Sequence, residues 1–340
     1  MFHRIEDWSD AYANGPNIAG GDRWPELWVE PAREFRERMA GRAQINLAYG
    51  NGERGGFDLF WPAGSPRGLV VFVHGGFWIR LDKSFWSHFA QGPLAHGYAV
   101  AIPSYTLCPA IRVSGITREI GKAVEAAAAM IEGPIRLIGH SAGGHLVSRM
   151  ISSTSPLGSV AKNSWCRMEF QTVCVFGEEA PLSNRPQPRL TVIGRLFKAG
   201  CDQEKEYFSL ILRLQKFLQQ SPPLPAAVAQ RIAHVVSLSG LHDLRPLLGT
   251  NLNETIGLDM EEALKESPAL LTPGADIRIT CWAGANERSE FIRQNALLAN
   301  IWRGLGAATA CVEEPDRHHF NIMDGLLDLT HPLTVALMTS

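Results

Sequence analysis

Ile135-Arg136-Leu137-Ile138-Gly139-His140-Ser141-Ala142-Gly143-Gly144-His145-Leu146 decides the reading of this 340-residue chain. An apolar run enters a G-x-S-x-G stretch and leaves it as a helix. The pattern predicts a nucleophile elbow, a sharp strand-turn-helix bend that lifts a serine hydroxyl above the end of a sheet. A residue in that bend is held at strained dihedral angles, so bulky neighbours would strike the adjoining strand and helix. Gly139 and Gly143 stand two residues either side of Ser141, where those collisions would fall. A serine nucleophile also needs a histidine base, an acid to orient that base, and an oxyanion hole.

Outward from the elbow, short apolar runs alternate with helix-like segments. Strands are expected at 68–74, 98–103, 135–138, 234–238, 277–282 and 307–312, and helices around 83–95, 115–131, 142–153, 288–304 and 322–338. Segments near 44–49 and 56–61 read as leading strands, antiparallel to the rest. Runs apolar on both faces and separated by helices imply an α/β fold, with a mostly parallel sheet covered on both sides. Such sheets carry their sites at the carboxyl ends of the strands. The expected organisation is a single domain, 1–340, interrupted between the elbow helix and the strand at His234. There, residues about 155–220 read as an insertion, because a short connection would suffice. A helix of a dozen residues carries the chain about 18 Å, to the opposite edge of the sheet. The insertion should therefore leave on the side away from Ser141, as a peripheral elaboration. The segment 240–272 leaves at the site edge and reads as a cap.

His74-Gly75-Gly76-Phe77-Trp78 follows the first buried strand. Glycines there let main-chain N–H groups approach a developing oxyanion, so Gly76 and Phe77, with Gly75 as a further candidate, are expected to donate together with Ala142. His74 is expected to hold this loop rather than act as a base. Phe77 and Trp78 either line an aromatic pocket or pack. After the last strand come His318 and His319, two competing candidates for the base. Glu287 follows the penultimate strand and is the expected acid, with Asp243 as second choice; Asp276 lies at the wrong end of its strand. The order Ser141, Glu287, histidine is the one this elbow architecture requires.

The composition is 45% hydrophobic and 19% charged, with a formal net charge of −2. There is no basic field to attract nucleic acid or an anionic membrane. No apolar run approaches the ~20 residues of a membrane span, and Met1–Trp8 has no signal-peptide core; a cytoplasmic protein is expected. The six cysteines (108, 166, 174, 201, 281, 311) have no metal-ligand spacing and are expected to be buried, reduced thiols. No metal or cofactor is expected.

The chain resembles the arylformamidase (kynurenine formamidase) branch of the α/β-hydrolases. The resemblance rests on Asp10-Ala11-Tyr12-Ala13-Asn14, on His74-Gly75-Gly76-Phe77-Trp78 with Asp82-Lys83-Ser84, on Tyr105-Thr106-Leu107-Cys108-Pro109, on Gly139 to Leu146, on Ser239-Gly240 with Asp243-Leu244, and on Glu287 and His319-Phe320. It covers most of the chain outside 155–220. It implies an α/β-hydrolase fold, Ser141 as nucleophile, His319 rather than His318 as base, and Glu287 in the acid position. Aspartate is the more usual acid there; glutamate is one methylene longer. The implied reaction is hydrolysis of an aryl formamide such as N-formyl-L-kynurenine, a step of tryptophan catabolism, with Trp78 and Tyr105 as pocket walls. The alternatives are a carboxylesterase for short-chain aryl or alkyl esters and a catalytically silent binding protein on the same fold. The expected partner is a small-molecule substrate, with a homodimer as a further option.

Overall fold

Leu69-Val70-Val71-Phe72-Val73 is apolar at every position, so neither face of the strand it forms can meet water. The computed structural model describes residues 4–153 and 223–339, and in it no residue of this run is more than 1% exposed. Burying each such side chain contributes roughly 1.5–3 kcal/mol. In chain order the strands are β1 (Ala43–Ala48), β2 (Gly56–Phe60), β3 (Leu69–Val73), β4 (Ala99–Pro103), β5 (Ile135–His140), β6 (Ser152–Ser153), β7 (Ile232–Leu238), β8 (Thr272–Pro273), β9 (Arg278–Gly284) and β10 (Ala308–Glu314). Eight of them form one sheet in the order β1-β2-β4-β3-β5-β7-β9-β10. β2 runs antiparallel to both β1 and β4, and every other neighbouring pair is parallel.

The winding reverses at β3, which has β4 on one side and β5 on the other. Helices leave such strands in opposite directions, so a crevice opens at the carboxyl ends of β3 and β5. Alternate side chains of β3 feed two cores. Leu69, Val71 and Val73 pack with helices Val113–Met130, Ala142–Met150 and Ser289–Gly304. Val70 and Phe72 pack with helices Trp24–Arg38 and Pro332–Met338. The sheet is thus covered on both faces, as its two-sided apolar strands require.

Three expected helices come out shorter. Residues 83–95 form two tight 3₁₀ turns and the short helix Gln91–Ala95, which contains Gly92 and Pro93. Residues 322–338 split into a 3₁₀ turn, Ile322–Leu327, and a helix that restarts at Pro332, a residue suited to a first helical position but not to continuing a turn. The elbow helix stops at Met150; Arg149 then bonds Ser152 Oγ at 3.0 Å, and β6 pairs with β8. β8 leads into the start of β9, so Ser152-Ser153 lie at the edge where the parallel strands begin. The expected insertion, 155–220, lies outside the described residues. So do Cys166, Cys174 and Cys201. Cys108 and Cys281 are buried, but Cys311 is exposed, because β10 is an edge strand. Among the described residues no helix is long and apolar enough to cross a membrane.

Candidate active site

Ser141 sits at the carboxyl end of β5 with φ 55° and ψ −116°. A non-glycine residue in that region costs on the order of 1–3 kcal/mol, which the surroundings must offset. Here the Ser141 N–H donates to Leu238 O of β7 (2.8 Å), and its carbonyl accepts from the His145 N–H (3.2 Å). The flanking glycines are required sterically. A Cβ on Gly139 would lie 2.1 Å from Gly143 O, and one on Gly143 would lie 2.0 Å from Val73 O. The elbow is therefore wedged between its own strand and β3.

The loop after β3 runs back beside Ser141. A Cβ on Gly75 would stand 3.0 Å from Ser141 Cβ, so this residue backs directly onto the serine. Gly76, Phe77 and Trp78 all have positive φ (111°, 51° and 61°), and the N–H groups of Ile79 and Arg80 donate to Gly76 O. The turn spends the Gly76 carbonyl internally and leaves its amides over. The N–H groups of Gly76, Phe77 and Ala142 have no hydrogen-bond partner among the described residues. His74 fixes the loop from behind. Its Nδ1 lies 2.7 Å from Gly75 O, its ring stacks on Tyr105 at 4.3 Å, and burial lowers its pKa to about 4.

The acid and the histidine meet. His319 Nδ1 lies 2.7 Å from Glu287 Oε2, with both side chains buried. A carboxylate only accepts, so the proton resides on Nδ1 and Nε2 is left as the acceptor nitrogen. Glu287 is held on its other oxygen by Ser239 Oγ–H (2.5 Å) and by the Gly284 N–H (2.7 Å). His140 Nε2 reaches His319 O at 2.8 Å, which ties the histidine loop to the residue before Ser141. No hydrogen bond joins Ser141 Oγ to His319 Nε2; in ligand-free sites such bonds often close only with substrate present.

Ser141, His319, Gly76 and Phe77 line one cavity of about 470 Å³. The competitors are elsewhere. Asp243 is paired with Arg245 at 2.8 Å; burial pushes its carboxyl up, but the bonds from Arg245 prevail and hold it below its ordinary value. Asp276 precedes β9, at the far edge of the sheet. His318 accepts from the N–H groups of Phe320 and Asn321 and packs edge-on against Trp24. Trp78 and Tyr105, placed on the pocket wall by the sequence reading, are both 0% exposed and do not line the cavity. Trp78 packs against His145 and Tyr105 against His74, so each supports the loop instead.

The remaining walls come from two segments. Asn251, Leu252 and Thr255 belong to the stretch 240–272. Tyr12, Asn14 and Trp28 come from the N-terminal region, whose role no local pattern disclosed. That region is docked by the Tyr12 hydroxyl, which donates to Glu290 Oε2 (3.0 Å) and accepts from Gln294 Nε2 (2.9 Å). Among the described residues no group of three or more His, Cys, Asp or Glu side chains is arranged to hold a metal ion.

Residues 70–325 match the model of the alpha/beta hydrolase family. The chain belongs to the alpha/beta hydrolase family. This hydrolase is 25% identical to a kynurenine formamidase of Salmo salar, covering 91% of this chain and 86% of the relative, and 22% identical to that of Danio rerio, covering 89% and 83%. It is 38% identical to a candidate thioesterase from Silicibacter sp. TM1040, whose crystal structure superposes with a TM-score of 0.74 over 97% of this chain and 98% of the other.

Proposed function

We propose that this hydrolase cleaves an aryl formamide such as N-formyl-L-kynurenine through a formyl-serine intermediate. The observation that carries the reading is the 2.7 Å Glu287–His319 bond, made by a histidine that shares its cavity with the strained Ser141. The similarity to kynurenine formamidases over most of the chain supports the choice of substrate.

Ser141 Oγ attacks the formyl carbon while His319 Nε2 takes the hydroxyl proton. Glu287 stabilises the imidazolium that results. The oxyanion accepts from the N–H groups of Gly76, Phe77 and Ala142, which have no other partner among the described residues; each such donor is worth roughly 2.7–4 kcal/mol of transition-state stabilisation. The C–N bond then breaks as His319 returns its proton to the departing aryl amine. Water enters, loses a proton to His319 and attacks the formyl ester. Formate leaves, and Ser141 recovers its proton.

The second reading is an esterase or thioesterase acting through the same groups, which the resemblance to the candidate thioesterase supports. Steady-state assays of N-formyl-L-kynurenine beside p-nitrophenyl acetate, with Ser141→Ala as the blank, separate the two. A much higher kcat/KM for the formamide is the expected result. Ester turnover alone would replace the first reading by the second, and full activity in Ser141→Ala would overturn the serine mechanism.

A further inference from the structure

The cavity wall is largely aromatic and apolar, yet it carries one carboxylate, Asp22, and one guanidinium, Arg80. They stand on different segments. Asp22 lies against Gly15, its Oδ1 2.1 Å from where a Cβ of that residue would be, and Arg80 lies against Gly76 on the loop after β3. Both side chains are exposed where they line it. Neither side chain forms an ion pair or a hydrogen bond among the described residues. Beside them Asn14, which also lines the cavity, is only 4% exposed, and neither Nδ2 nor Oδ1 of its amide has a partner. A buried amide left unpaired is unusual and calls for an occupant.

We propose that Asp22, Arg80 and Asn14 form a recognition site for the zwitterion of an α-amino acid carried on the leaving group. The inference rests on the hydrolase reading of Ser141 and on the proposed formamide substrate, and adds the residues that hold the amino-acid end of the leaving group. An α-amino acid presents an ammonium and a carboxylate on one carbon, which matches two opposite charges that do not pair with each other. Arg80 suits the carboxylate, because its planar fork donates two parallel bonds; Asp22 suits the ammonium. The Asn14 amide both donates and accepts, so it serves either end. The formyl group is too small to reach this wall, so the zwitterion must lie on the amine side of the scissile bond. A cavity of about 470 Å³ is within the range that encloses a ligand of this size. A site built around charged partners rejects an analogue lacking them far more strongly than an apolar pocket rejects a missing methylene.

The test compares N-formyl-L-kynurenine with the formamide of 2-aminoacetophenone, which keeps the aryl ketone and lacks the amino acid. The wild-type ratio of kcat/KM should favour the amino-acid substrate by at least about tenfold. Asp22→Asn and Arg80→Gln should each lower that ratio by about tenfold or more, through KM. Methyl esterification of the substrate carboxylate should cost the wild type more than it costs Arg80→Gln. A wild-type ratio near one, or a ratio unmoved by both substitutions, overturns the proposal. Should the wild type hydrolyse esters only, the formamidase reading fails and the recognition site is read separately, from L-kynurenine inhibition of p-nitrophenyl acetate hydrolysis. Inhibition weakened about tenfold by either substitution upholds the site, and absence of inhibition overturns it.

Discussion

Glu287 accepts hydrogen bonds from His319, Ser239 and the Gly284 main chain, so its carboxylate has one orientation and a filled set of partners. The extra methylene relative to aspartate is absorbed by the turn it sits on, where the Glu287 N–H bonds back to Gly284 O. Loss of this carboxylate removes the group that fixes the histidine tautomer. Glu287→Ala should therefore lower kcat by about 10³-fold or more, whereas Asp243→Ala, which breaks only a pair with Arg245, should stay within about threefold. The reverse ranking in a steady-state assay would reassign the acid. The placing of Ser141, Glu287 and a histidine was legible because chain order and strand ends constrain it. The choice against Trp78 and Tyr105 as pocket walls was not, since an aromatic beside a glycine loop can face the ligand or the core. Only the stacking of Tyr105 on His74, and of Trp78 on His145, decides that.

At the scale of elements, the elbow depends on how closely β3, β5 and the helix Ala142–Met150 approach. A methyl group on residue 143 would fall 2.0 Å from Val73 O, and main chain cannot yield as a flexible side chain can. Gly143→Ala should destabilise the protein by about 1–3 kcal/mol or more, with loss of activity, and lower Tm accordingly. An unchanged Tm would mean that strand and helix are less tightly wedged than the geometry implies. The strands could be read from sequence because burial on both faces leaves an unbroken apolar run. Helices 83–95 and 322–338 were overextended because apolar residues continue at helical spacing across points where Pro93 and Pro332 interrupt hydrogen bonding. The wall built by Tyr12, Asn14 and Trp28 had no periodic signature, as it arises from contacts with residues far away in sequence.

Across the whole molecule, burial keeps several histidines neutral well below their ordinary range. It lowers His74, His88 and His234 to about 4, and His145 and His242 to about 3. In the unfolded chain these rings take up protons near 6.5. Between that value and about 4 the unfolded state binds protons that the native state refuses, so stability is full above this window and falls as pH drops through it. The urea midpoint should therefore be clearly lower at about pH 4.5 than at about pH 7, and equal midpoints would contradict the burial of these rings.

The docking of Tyr12 onto Glu290 and Gln294 joins residues 278 and 282 positions apart. During synthesis, the first-made wall of the chamber must wait for a helix that emerges from the ribosome nearly last. Until then Tyr12 lacks both of its side-chain partners, and His319 does not yet exist. The growing chain therefore carries its serine, from residue 141 onward, without the enclosure that would make it selective.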